Sequence, residues 1–107
     1  MNKSNFSLLR IIVLLLLINA VKMPPALVPV VHWPYMAADA VATPYVILTT
    51  HDPIPQEILD HERCHIRQMN TYGSVGFYLI NGYYLVRYGY ANNPFEEQAY
   101  NGCHGIG

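Results

Sequence analysis

His61-Glu62-Arg63-Cys64-His65 places two imidazoles and a carboxylate within five residues. On a helix, residues four apart lie about 40° apart around the axis and one turn along it, so His61 and His65 can reach one tetrahedral metal ion. Glu62 is turned about 100° from His61. From there its carboxylate is badly placed as a third ligand but well placed to hydrogen-bond to a water beside the metal. A catalytic zinc site normally takes three protein ligands, so one is missing. Glu96, Glu97, His104, His51, His32 and Cys103 are the candidates. Glu96 is the strongest of these, because it sits in a helix opened by Asn93-Pro94, a rigid element that can aim a carboxylate. Ala99, three residues on, is small enough to let that helix lie close to its neighbour.

Other polar residues have weaker claims. Gln68, three positions past His65, can brace a ligand or simply face solvent. Tyr88 or Tyr90 can donate to an oxyanion, although most of the nine tyrosines must serve packing. Arg63 and Arg67, four apart and off the ligand face, read as solvating the helix. Cys64 and Cys103 either pair, if the chain is exported, or remain two thiols; spacing does not decide between them.

The elements that must hold these groups are legible in outline. Residues 45–50, Tyr-Val-Ile-Leu-Thr-Thr, are rich in β-branched and aromatic side chains and read as an edge strand. Asp52 and Pro53 suit the start of a metal-binding helix running to about Asn70, before Gly73. A second helix is expected from about Ser74 to Tyr88, with a strand as the alternative because Gly76 and Gly82 weaken it and five aromatics favour extension. Asn93 should cap a third, short helix that ends before Gly102. The expected fold class is α+β: a minimal core of one edge strand, the metal-binding helix and two further helices, occupying residues 45–107.

Ahead of this core come two different stretches. Residues 23–44 carry five of the eight prolines and read as a Pro-rich connector or irregular wrap. Residues 1–22 show a short basic region, the apolar run Ile11–Ile18 and a polar break, the layout of a signal peptide, with Ile18-Asn19-Ala20 as a weak cleavage site. The run is shorter than the ~20 residues of a spanning helix. Membrane association through residues 8–21 as an anchor, or a buried helix of a soluble protein, are the other readings. The charge bias favours export or anchoring, with a cytoplasmic location as the alternative. A net charge of −1 with 12% charged residues argues against a nucleic-acid partner.

HERCHIRQ, then a Gly- and Tyr-rich stretch, then YANNPFEEQAY, resembles the zincin metallopeptidases of the glutamate-zincin type, in particular small peptidases of phages and bacteria. The resemblance spans about residues 45–101 and departs at Gln98, where many relatives carry an acidic residue. It implies a zincin-like core with Zn2+ held by His61, His65 and Glu96, the Ala99 offset selecting Glu96 over Glu97. It further implies Glu62 as the base, a peptide or protein substrate, and hydrolysis of a peptide bond. The rival expectation is a membrane or envelope interaction protein in which zinc only staples a small domain.

Overall fold

The computed structural model describes residues 3–20 and 22–103. The chain is α+β, and its elements in order are helix α1 (Lys3–Ala20), a 3-10 turn (Pro25–Leu27), strands β1 (Val30–His32), β2 (Ala40–Ala42) and β3 (Ile47–Thr49), then helices α2 (Gln56–Tyr72), α3 (Ser74–Tyr88) and α4 (Pro94–Tyr100).

The three strands form one mixed sheet in the order β1-β3-β2. β3 pairs parallel with β1, Val30 opposite Ile47, and antiparallel with β2, Ala42 opposite Ile47. The strand expected at an edge is therefore the middle one, and both edges come from the stretch expected to be a connector. The reason is local: Pro29 and Pro34 flank β1 rather than interrupt it, and a strand on the rim tolerates proline. Thr43 closes the β2–β3 hairpin, its hydroxyl donating to the Val46 carbonyl at 2.8 Å and accepting from the Val46 N–H at 3.0 Å. Ile47 and Thr49 point into the protein and are almost fully buried.

Helix α2 starts at Gln56, later than the sequence suggested, and Pro55, not Asp52, precedes its first turn. Proline at 55 keeps Ile54 out of helical geometry, so no helix can run through from Pro53. The buried positions Glu62, Ile66 and Met69, with His65 between them, recur at the helical repeat and turn one face inward. Gly73 joins α2 directly to α3 at φ +78°, a backbone conformation that glycine adopts without Cβ strain. Helix α3 occupies the span expected for it and shows no strand character. Asn93 caps α4 as expected, its side chain accepting from the Phe95 N–H at 2.9 Å.

The core is small. Val28, Ala42, Ile47, Ile66, Met69, Phe77 and Phe95 pack together, and Met23, Ile54, Leu59, Ile80 and Tyr84 close over them. Phe77 and Phe95 stack with centroids 5.1 Å apart, which ties α3 to α4. Met23 and Val28 belong to this cluster, so residues 23–44 are structural wall as well as connection. Among the described residues no helix is long and apolar enough to cross a membrane.

Candidate metal centre

Helices α2 and α4 bring His61, His65 and Glu96 together. The His61 Nε2 lies 2.9 Å from Glu96 Oε2, the His65 Nε2 lies 3.1 Å from Glu96 Oε1, and the two Nε2 atoms are 3.2 Å apart. Three ligand atoms on a tetrahedral ion with bonds of ~2.0–2.1 Å are separated by about 3.3–3.4 Å. The donor set therefore suits a metal after a small outward shift, and its chemistry, two imidazoles and a carboxylate, suits zinc.

Without metal the cluster behaves as a buried charge pair. Burial would push the Glu96 carboxyl up, but hydrogen bonds from His61 and His65, and their charge, outweigh it and hold the group at about 2. Burial pulls the His65 imidazole down; hydrogen bonds to Glu96 and Gln68, with the charges of Glu96 and Glu62, carry it above its ordinary value. Glu62 behaves differently. Burial holds its carboxyl above the usual carboxylate range, opposed but not overcome by His65, His61 and the backbone of Ala42 on β2. It is 7% exposed and sits on the wall of a cleft of about 640 Å³. His61, Tyr90, Tyr100 and residues 37–40 line the same cleft.

Gln68 is fully buried, not solvent-facing. Its Oε1 accepts from His65 Nδ1 at 2.8 Å, while its Nε2 donates to the Phe95 carbonyl at 3.0 Å and to Gln98 Oε1 at 2.9 Å. One amide thus orients His65, leaves Nε2 directed at the cluster and fastens α2 to α4. The signal was present in the sequence: residue 68 is seven past His61 and three past His65, hence on their face of the helix.

The remaining candidates are placed elsewhere. Glu97 is exposed. His51 pairs with Asp39 at 3.2 Å, and His32 Nε2 sits 3.3 Å from the Thr50 carbonyl. Cys103 is bonded to Cys64, and His104 lies outside the described residues. Arg67 is exposed, whereas the Arg63 Nε is buried without a partner among the described residues. Tyr90 reaches the cleft; Tyr88 packs on Tyr84 instead.

Sequence reasoning missed Tyr100. Its ring lies 4.3 Å from that of His61, and its hydroxyl is 3.1 Å from that of Tyr90. It sits four residues past Glu96, one turn along the same helix, which is the pattern that could have found it. The Tyr100 hydrogen bond, then burial and the Glu96 charge, push the Tyr90 hydroxyl above its ordinary range.

The disulfide between Cys64 and Cys103 joins the middle of α2 to the chain just past α4. Both cysteines pack against Ala99, whose small side chain lets α4 approach α2. Compared with protein-family models, with curated proteins and with solved structures, the chain shows no match.

Proposed function

We propose that this chain is a zinc-dependent peptidase. The observation that carries the reading is the convergence of His61, His65 and Glu96 beside a buried Glu62, which with His61 lines one cleft. Zinc held by the three ligands would polarise a scissile carbonyl and lower the pKa of a water molecule. Glu62 then takes a proton from the attacking water and delivers it to the leaving amine as the C–N bond breaks.

An extended substrate needs a strand edge, and β3 has none to offer, since both its sides are paired. Of the two outer strands, β2 is the one at the cleft, which its residue Ala40 lines with residues 37–39. A peptide added there would lie across the metal ligands as an extra strand. The substrate's edge is thus β2, and not the strand at residues 45–50 that the sequence suggested as an edge.

A zinc that merely staples the fold is the weaker account. The Cys64–Cys103 bond already ties α2 to the end of α4, and a staple has no use for Glu62. The same bond favours an oxidising compartment, in line with export or anchoring. The test is a peptide-library digestion by zinc-loaded protein and its Glu62→Gln variant. We expect cleavage by the parent, a loss of about 10²–10⁴-fold in the variant, and zinc content unchanged. Equal cleavage by both, or none by the parent with zinc bound, contradicts the proposal.

A further inference from the structure

Helices α1 and α3 pair with each other on the other part of the molecule, and both show apolar surface where a water-facing helix would be polar. On α3, Phe77, Ile80 and Tyr84 face the core. Leu79, Tyr83 and Val86 lie on another face, within an arc of about 60°. They are 71%, 60% and 91% exposed. On α1, Leu8, Leu9 and residues 11–17 are each between 45% and 63% exposed. Nine such residues in ten consecutive positions circle the whole helix, so no single side of α1 is meant for water.

Charge divides the same way. Residues 3–20 and 74–88 contain Lys3, Arg10 and Arg87 and no acidic residue. All seven acidic residues lie between positions 39 and 62 or at 96 and 97. We propose that α1 and the outer face of α3 together form one lipid-seating surface that sits in a single leaflet of an anionic membrane. The proposal is independent of the peptidase reading.

Three features favour lipid over a second copy of the chain. A two-fold protein contact covers one side of a helix, whereas α1 is apolar on every side, and lipid tails can cover all the sides that α3 leaves open. The apolar positions 8–17 span about 15 Å, half of a hydrocarbon core of ~30 Å, which matches immersion in one leaflet and not spanning. Basic residues without acidic neighbours, and an exposed tyrosine in the stripe, suit the anionic headgroup level.

The two helices are joined by a built contact. The Asn19 Oδ1 accepts from the Gly76 N–H at 3.1 Å, supplying the cap that α3 does not draw from its own N-cap residue, Gly73. Gly73 is also where a Cβ would collide with the Asn19 amide, so the absence of a side chain there makes room for α1. Asn19 lies within the Ile18-Asn19-Ala20 cleavage candidate; on this reading the segment stays attached, as an anchor and not a removed leader.

The experiment uses the full chain, titrated with vesicles of phosphatidylcholine alone and with about one third phosphatidylglycerol. Partitioning should be tighter on the anionic vesicles and weaken with salt, and the Leu79→Asp/Val86→Asp variant should partition at least about ten-fold more weakly. Both changes are at exposed positions, and unchanged far-UV circular dichroism checks the fold. Independently of that variant, Val86→Trp in a Trp33→Phe background should be quenched by brominated lipid. Unaltered partitioning of the double variant, an unquenched Trp in vesicle-bound protein, or a stable solution dimer that ignores vesicles would each overturn the proposal.

Discussion

The half of the molecule built from α2 and α4 and the half built from α1 and α3 bury opposite kinds of surface. In the first, polar groups are enclosed: Glu62, His65 and Gln68 are buried, and α4 is held over them by Gln68 and by the Cys64–Cys103 bond. In the second, large apolar side chains are left outside, and the Asn19 side chain, accepting from the Gly76 N–H, joins the two helices. Enclosing charge is costly unless each group is partnered, so the first half must be rigid and locked from several sides. Apolar surface outside needs only a partner phase. The contrast predicts that disturbing the locks of the first half has large effects and that removing parts of the second has small ones.

The largest effect should come from opening the disulfide. It closes a loop of 39 residues, for which the chain-entropy estimate is about 4 kcal/mol. Cys64→Ala/Cys103→Ala should lower stability by that order in chemical denaturation and weaken zinc binding, because α4 then carries Glu96 on a looser tether. Unchanged zinc affinity in a folded double variant would mean that the disulfide does not position the site.

Next is the choice between two adjacent carboxylates. Glu96→Ala should weaken zinc binding by about 10²-fold in a competition titration, on the pattern of losing one of three ligands. Glu97→Ala, at an exposed position, should leave it within a factor of about two. The reverse ranking would place the wrong face of α4 toward α2.

The smallest effect is expected on the other side of the comparison. A chain beginning at Met23 keeps the Met23 carbonyl that accepts from Asn70 Nδ2 at 2.9 Å and loses the Asn19 cap, typically about 1 kcal/mol. It should fold and take up zinc as the full chain does, checked by thermal unfolding and metal analysis. Aggregation of this shorter chain, with the full chain soluble and monomeric without lipid, would make α1 part of the core.

What the sequence reveals follows from how local each signal is. The span of α3 and the Asn93 cap of α4 were readable because caps, prolines and helical periodicity act over a few residues. The strands were not: each is three residues long, and β1 pairs with β3 across seventeen positions, so proline density dominated the reading of residues 23–44. Pro55 overrode Asp52 as the start of α2 by a steric rule that applies to the residue before it. At the site, the spacing of His61, Glu62 and His65 was visible, Glu96 was a candidate by its place in the helix opened by Asn93-Pro94, and its choice over Glu97 came with the zincin resemblance. Gln68 was readable too, by its helical phase with His61 and His65, whereas the reach of Tyr90 over Tyr88 and the pairing of Cys64 with Cys103 depend on how α2, α4 and the chain after α3 are packed, which no local pattern encodes.

The central claim is that the enclosed polar half is a metal centre made by His61, His65 and Glu96. X-ray absorption at the zinc edge of the zinc-loaded full chain tests it most directly. The account predicts one zinc per chain with nitrogen and oxygen neighbours at ~2.0–2.1 Å, including two imidazoles, and no sulfur. A sulfur shell at ~2.3 Å, showing that Cys64 or Cys103 had been recruited, or failure to retain stoichiometric zinc, would contradict it.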